Sequence, residues 1–550
     1  IRAFIKIFIK LISKISYIKA VYHFLDGLNN TKRQIMDFDL FIIGGGVNGC
    51  GIARDAAGRG IRVGLAEMND LASSTSSAST KLFHGGLRYL EYFDFSLVRA
   101  SLRERDILLS AMPHISWPMK FVLPFHSSMR FDSNTPAAKL LERVVPWMKG
   151  RRPAWMIRFG LFLYDNIGGK SVLPKTKTIN LRKEVEGQGL SSIFEWGFEY
   201  SDCWVDDSRL VVLNAQDAVS NGAEIYTYTK VIRAVRHSGF WEISLKNKSG
   251  IKKIKAKILI NASGPWVGEI LNKTLGQNSK QSVRLVRGSH IVVRQIFSHQ
   301  KSYFFQGHDG RIIFAIPYLK NYTLIGTTDH DQSDPNAEVV CTKEEQTYLI
   351  ELINTYLEIP ISNKDIQWTF AGVRALFDDG ANTAQSATRE YVLSLNVDAA
   401  PVLNVFGGKI TTYRKLAEDA LEQIMEFLPM SGPWTKFASL PGGNFQLDEV
   451  DRRMLDLRNK YPFLSGAWSE RIFRAYGTQC EDILGNANSE DDLGQCFGAN
   501  LFEVEVNWMI QMELVKSVDD ILWRRSKLGY EMTKKQVTEL KNYLKTAVVA

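Results

Sequence analysis

Hydrophobic and polar positions change rhythm along this chain, and each change marks an element. Leu40 to Ile43 form an unbroken apolar run that stops at Gly44, and Ile61 to Ala66, interrupted by Arg62 and Gly64, reads as a second strand that ends at Glu67. Short apolar runs without alternation predict strands buried on both faces. Residues 51–58 between them are small and helix-competent, so the pattern is strand, helix, strand. Two later segments also feed a strand into a small-residue turn. In "KAKILINASGPWVGEI" Ile258 to Ile260 lead into Ala262 to Gly264, and in "APVLNVFGGKITTYRKLAEDAL" a strand meets Gly407 and Gly408 and then a helical period. "SHIVVRQ", "RIIFAIPY" and "YTLIGTT" are short β-rich pieces with little helical rhythm. From about residue 429 the period becomes helical and rich in charge, as in "DEVDRRMLDLRNKY", which predicts a C-terminal helical domain.

Gly44, Gly46 and Gly49 fit G-x-G-x-x-G at the first strand–helix junction, and Glu67 follows Gly44 by 23 positions. Glycines there permit a tight turn and close backbone approach to a pyrophosphate. The helix N-terminus faces the phosphate charge, and an acid ~20 residues on accepts ribose hydroxyls. A mere glycine-rich corner is the plain alternative, but it needs neither the second strand nor the acid. The pattern predicts a dinucleotide site and leaves FAD and NAD both open.

Composition narrows the class. A chain of 550 residues predicts two or three domains, and 45% hydrophobic with 23% charged residues is ordinary for a globular protein. The five cysteines form no C-x-x-C pair and no metal-ligand spacing, so neither a disulfide framework nor a metal site is expected. Residues 1–35 supply six of the nine net positive charges. The body shows no basic stripe interleaved with aromatics, so nucleic-acid binding is not expected. No run of 18 apolar residues is long enough to span a bilayer.

The segment after the first βαβ unit, "LASSTSSASTKLFHGGLRYLEYFDFSLVRASLRERDILL" (71–109), resembles the FAD-dependent glycerol-3-phosphate dehydrogenases of the bacterial aerobic type. The likeness recurs in "RPAWMIRFGLFLYD" (152–165), "GFEYSDCWVDDSRLV" (197–211), "NASGPWV" (261–267), "RGSHIVV" (287–293), "LIGTTDHD" (324–331), "TFAGVRAL" (369–376), "SATREY" (386–391), "VFGGKITTYRKLAEDAL" (405–421), "PWTKFASLPGG" (433–443) and "DDILWRRSKLG" (519–529). It covers the chain in order from about Asp37 to the C-terminus. Two stretches depart from the family: about 35 residues ahead of the glycine motif, and about 20 residues near 131–151.

The resemblance implies an α/β fold: a Rossmann-like FAD-binding domain with an antiparallel-sheet substrate domain, as in glutathione reductase and D-amino-acid oxidase, and a C-terminal helical domain. The FAD domain is expected in three pieces, 36–110, 196–275 and 396–428, with the substrate domain at 111–195 and 276–395 and the helical domain at 429–550. The implied reaction takes sn-glycerol 3-phosphate to dihydroxyacetone phosphate by hydride transfer to FAD, and electrons pass to a membrane quinone. The protein would then sit in the cytoplasm, peripherally bound to the inner face of the membrane, and a homodimer is allowed. A glycerol-3-phosphate oxidase using oxygen and a catalytically silent flavoprotein subunit are the alternatives.

Residue roles follow from the same motifs. The cofactor would contact Gly44, Gly46, Gly49, Glu67, Ser76, Ser77, Gly264, Gly407, Gly408 and Thr411. A phosphate of about −2 charge needs about two cations, preferably arginines for bidentate geometry. The candidates are Arg88 with Tyr89, Arg374, Arg389 and Lys409, and Thr328 or Thr327 would reach the substrate. His290, Arg374 and His84 form the expected catalytic set. His290 is the favoured general base, because an imidazole titrates near working pH; His84 is its rival or a neighbour of the flavin ring. Asp329 is read as a turn or helix-cap acid and His330 as exposed. "DHDQSDPNAE" lacks the glycine and terminal Glu of a calcium loop, and "WRRSKLG" suits an ion-paired helix.

The leader carries Lys6, Lys10 and Lys14 every four residues among Ile, Phe and Leu. A helix here would be basic and amphipathic, able to lie on an anionic membrane. The leader is expected to be dispensable, with a membrane anchor as the alternative.

Overall fold

The computed structural model describes residues 36–127, 129, 135–144, 153–277, 281–378, 380 and 389–547. The leader, and most of the 131–151 stretch apart from helix Pro136–Val144, lie outside the described residues. Among the described residues no helix is long and apolar enough to cross a membrane.

The first sheet is built around Phe38–Ile43, which pairs in parallel with Gly250–Asn261 on one side and Val63–Ala66 on the other. Val402–Phe406 extends it in parallel beyond Gly250–Asn261, and Glu224–Tyr226 beyond Val63–Ala66. Its central strands are apolar on both faces because both faces are covered. Leu40 and Ile42 point into one core with Ala53, Ala56, Leu416 and Ala420 of helices Val47–Gly58 and Tyr413–Ile424. Phe41 and Ile43 point the other way, into a core with Trp241, Leu259 and Phe406. Period-two side-chain direction thus turns one apolar run into two buried faces.

The second sheet has ten strands and is mostly antiparallel, with one parallel pair between Ser302–Gln306 and Ser116–Phe125. Its long pair, Val283–Arg294 against Ile366–Phe377, sets His290 opposite Phe370 and Val286 opposite Arg374. Strand membership departs from the expected pieces at three points. Leu82–Phe83 and Trp196–Val205, expected in the FAD domain, join the second sheet, whereas Val392–Asn396 begins the third FAD-domain segment four residues earlier than expected. Trp196–Val205 pairs along its whole length with Ser116–Phe125, and that partner decides its sheet.

Beyond residue 433 short helices close a separate core around Trp468, Phe473, Tyr476, Val506 and Leu540. This domain is tied to the rest by buried ion pairs. Arg525 binds Asp70 at 2.7 Å, and Arg209 binds Glu513 at 2.7 Å. Arg524 also reaches Asp70, at 2.5 Å, so "WRRSKLG" is an ion-paired segment.

Candidate active site

A cavity of about 690 Å³ runs between the two sheets, from the Gly44 turn to Arg374 and Lys409. At one end it is lined by Gly44, Gly45, Gly46, Glu67, Ser76 and Gly264. Gly44 has φ +110°, and a Cβ there would lie 2.5 Å from the Ala262 carbonyl oxygen, so only glycine fits this turn. Gly46 precedes helix Val47–Gly58, and the Val47 N–H donates to Ser76 Oγ at 3.0 Å. Glu67 braces the turn by accepting from the Gly45 N–H at 2.7 Å and the Asn69 N–H at 2.9 Å. Burial, opposed by these donors, raises its carboxyl above the ordinary range. Gly407 and Gly408, with φ +74° and +100°, also face the cavity, and Asn48 Nδ2 donates to the Gly407 carbonyl.

At the other end His84, Arg88, Tyr89, His290, Thr327, Asp329, Arg374, Arg389 and Lys409 converge. His290 is buried and stacks on Phe370, with ring centroids 4.8 Å apart, and its Nε2 lies 3.0 Å from Thr80 Oγ1. Burial, then the positive charges of Arg374 and Lys81, hold it well below the ordinary imidazole range. It is therefore neutral at working pH, which leaves a ring nitrogen unprotonated, but the same burial and charges make it a weaker base than the freely titrating imidazole expected from the sequence. Burial, then Lys409 and Arg105, push His84 down to about 3.

The cations are not interchangeable. Arg374 Nη1 binds Asp329 Oδ1 at 2.7 Å and Nη2 donates to Thr327 Oγ1 at 2.9 Å. Lys409 Nζ lies 3.8 Å from the centre of the Tyr89 ring, and no carboxylate pairs with it among the described residues. Burial lowers its pKa, and Tyr89 opposes that shift. Burial would raise the Tyr89 phenol, but Lys409, Arg389 and Arg374 together bring it below its ordinary value. An unsatisfied buried ammonium beside two arginines is an arrangement that an anion completes.

Four expected contacts fall elsewhere. Gly49 is a packing residue: a Cβ there would lie 1.9 Å from the Gly44 carbonyl oxygen. Ser77 is outside the cavity lining, and its hydroxyl donates to the Ser74 carbonyl. Thr411 is buried behind the lining, and its Oγ1 accepts from the His84 N–H at 3.4 Å. Thr328 is fully buried and donates to Glu345 Oε1 at 2.7 Å, so Thr327, not Thr328, faces the cavity. Asp329 lies in the turn between strands Tyr322–Gly326 and His330–Gln332 and is the partner of Arg374. His330 is exposed.

Other residues were missed by sequence reasoning. Tyr164 accepts from the Gly85 N–H at 2.7 Å and donates to buried Asp202, which Arg105 also binds at 2.9 Å. This network anchors the loop that carries His84, Arg88 and Tyr89. Tyr164 and Asp202 lie inside recognised motifs, yet nothing local distinguishes them from core residues. Thr80 follows Ser79, and Ser79 and Lys81 both bind buried Asp207 at 2.7 Å, which fixes the hydroxyl under His290.

Residues 39–414 match the model of the FAD dependent oxidoreductases, and residues 433–547 match that of the C-terminal domain of alpha-glycerophosphate oxidase. The chain belongs to the FAD dependent oxidoreductase family. The cavity suits that cofactor: at Gly44 and Gly46 the turn ahead of helix Val47–Gly58 leaves the backbone open to a ligand, and a Cβ at Gly46 would project into that space beside Ser76 Oγ. Among its relatives, this flavoprotein is 43% identical to the D-erythritol 1-phosphate dehydrogenase of Brucella abortus, covering 90% of this chain and 95% of that one. It is also 43% identical to the glycerol-3-phosphate dehydrogenase of Pseudomonas aeruginosa, over 92% and 95% of the two chains. The solved glycerol-3-phosphate dehydrogenase of Bacillus halodurans, complexed with FAD, superposes with a TM-score of 0.67 at 25% identity, covering 93% of this chain and 94% of that one.

Proposed function

We propose that this flavoprotein oxidises sn-glycerol 3-phosphate to dihydroxyacetone phosphate and passes the electrons to a membrane quinone. The observation that carries the reading is the cluster of Arg374, Arg389 and Lys409 beside a buried, neutral His290. FAD, when bound, supplies the two-electron acceptor. The arginines and Lys409 hold the phosphate, and Thr327 and Asp329 keep Arg374 aimed into the cavity. His290 takes the hydroxyl proton through a ring nitrogen, while the hydrogen bond to Thr80 orients the ring. Burial at this end excludes water from the reacting carbon.

The test is anaerobic addition of sn-glycerol 3-phosphate to the FAD-loaded protein, watching the flavin absorbance. Bleaching supports the reading; an unbleached flavin overturns it. D-erythritol 1-phosphate should be compared under the same conditions, because the two named dehydrogenases are equally similar to this chain. Faster bleaching by the longer polyol phosphate reassigns the substrate within the same site. Reoxidation by a quinone, set against oxygen, separates dehydrogenase from oxidase.

An exposed aromatic face supports the membrane part of the reading. Helix Ala154–Ile167 presents Trp155, Phe159 and Phe162 at 62%, 55% and 57% exposure, with Arg158 on the same face. It packs against the segment Leu87–Tyr92, which carries Arg88 and Tyr89 of the cavity. Aromatics beside a cation suit a lipid interface, and on this reading the protein lies on the inner face of the cytoplasmic membrane. Replacing the three aromatics with serine is expected to abolish sedimentation with anionic vesicles and leave flavin reduction intact. Full vesicle binding by that variant refutes the assignment of this face.

A further inference from the structure

Thr328 is held from two sides. Its hydroxyl donates to Glu345 Oε1 at 2.7 Å and accepts from the Ser289 N–H at 2.9 Å, while its carbonyl accepts from Arg374 Nη1 at 3.3 Å. Its neighbours Thr327 and Asp329 make the other two bonds to the same guanidinium. The grip on Arg374 is therefore a property of three consecutive residues, and it depends on where the middle one is fixed.

Glu345 does that fixing from outside the cavity. It is buried, 1% exposed, at the first turn of helix Lys343–Asn354. Its Oε2 accepts from the Thr342 N–H at 3.0 Å, completing a capping box in which Thr342 Oγ1 accepts from the Glu345 N–H. Arg287 lies 3.1 Å from the same oxygen. A capping box needs only the carboxylate–backbone bond; the Thr328 hydroxyl and Arg287 are additional. The carboxylate is thus locked in orientation by its helix and lends that order to the turn.

We propose that Glu345, acting through Thr328, is a positioning residue that fixes the reach of Arg374 toward the anionic end of the substrate. Gly288 complements the arrangement, since a Cβ there would lie 2.4 Å from Arg374 Nη2. The inference rests on the reading that Arg374 holds the substrate's phosphate.

The experiment uses FAD-loaded protein, three single variants and one double variant. Thr328→Val keeps the side-chain shape and removes the hydroxyl. Glu345→Ala removes the carboxylate, and Glu345→Gln leaves a single acceptor oxygen for the two bonds, to the Thr342 N–H and the Thr328 hydroxyl, that the carboxylate takes on separate oxygens. Misplacing a group that binds a non-reacting part of the substrate raises KM, so Thr328→Val and Glu345→Ala are each expected to raise KM for sn-glycerol 3-phosphate ~10-fold with kcat within about threefold. Glu345→Gln, with one acceptor oxygen, falls between Glu345→Ala and the wild type, and the double variant Glu345→Ala/Thr328→Val is no worse than the poorer single one. An unchanged KM in Thr328→Val, or losses that add in the double variant, overturns the proposal. If the wild-type flavin is not bleached by this substrate, the functional reading fails by itself. The crystal structure of Thr328→Val then decides the positioning claim: displacement of Arg374 from Asp329 and Thr327 sustains it, and retention of both bonds refutes it.

Discussion

His290 Nε2 sits 3.0 Å from Thr80 Oγ1, while the same imidazole stacks on Phe370. A neutral, oriented ring is a base that does not need to lose a proton first. His290→Ala is expected to slow anaerobic flavin reduction ~10²–10⁴-fold, and Thr80→Val, which loses one neutral hydrogen bond, by ~10-fold or less. Because the imidazole is held well below its ordinary range in the free protein, the kcat/KM profile should show no limb from it between pH 6 and 8. A wild-type acid limb at about 6.5 argues against His290, and near-normal reduction in His290→Ala passes the role to His84.

Two glycines of the same motif should fail in different ways. Gly46 lines the cavity, and a Cβ there meets only Ser76 Oγ at 3.1 Å, whereas one at Gly49 meets the Gly44 carbonyl oxygen at 1.9 Å. Gly46→Val is therefore expected to give folded protein without flavin. Gly49→Ala breaks the strand–helix contact and should lower yield and thermal stability. Circular dichroism with flavin absorbance distinguishes the two, and a fully flavinated Gly46→Val protein contradicts the cofactor assignment.

Lys409 trades stability for binding. Its buried Nζ has no paired carboxylate among the described residues, and such a charge is costly until an anion arrives. Lys409→Met should raise the melting temperature of ligand-free protein and lower kcat/KM roughly 10- to 150-fold, the worth of a charge-assisted hydrogen bond. Scanning calorimetry and steady-state kinetics on one preparation test both halves. A variant that loses stability as well as activity contradicts the idea.

How much of this was legible depended on distance along the chain. The Gly44-to-Glu67 unit declares itself because strand, turn, helix and acid are consecutive and each leaves a local pattern. Asp329 and Thr80 gave no such sign, since their partners Arg374 and His290 come from strands 45 and 210 residues away. Thr327 and Thr328 are identical side chains in adjacent positions, and only the packing of helix Lys343–Asn354 sends the second to Glu345 and leaves the first in the cavity. Trp196–Val205 was expected with the FAD-binding pieces for the same kind of reason: its period reveals a strand but not its neighbour, Ser116–Phe125.

Acid should weaken the fold through its buried histidines. His114 is pushed down to about 3 by burial, then by Arg209 and Arg474, and both of its ring nitrogens lack partners among the described residues. Its folded pKa lies below the unfolded value of 6.5, so the unfolded chain takes the proton first as pH falls. The stability is complete above pH 6.5 and drains away toward about 3, at about a tenfold factor in the folding equilibrium per pH unit. Urea unfolding between pH 7 and 5 should show this slope, reduced in His114→Phe. An identical slope in that variant counts against the assignment.

Asp70 and Arg525 are separated by 455 residues, yet they close a buried pair three positions beyond Glu67. On a ribosome adding roughly 5–20 residues per second, the aspartate waits roughly 20–90 s for its arginine. The tail of the chain therefore acts as a latch on its head: the segment after the second strand gains its ionic partner only once the C-terminal domain has docked.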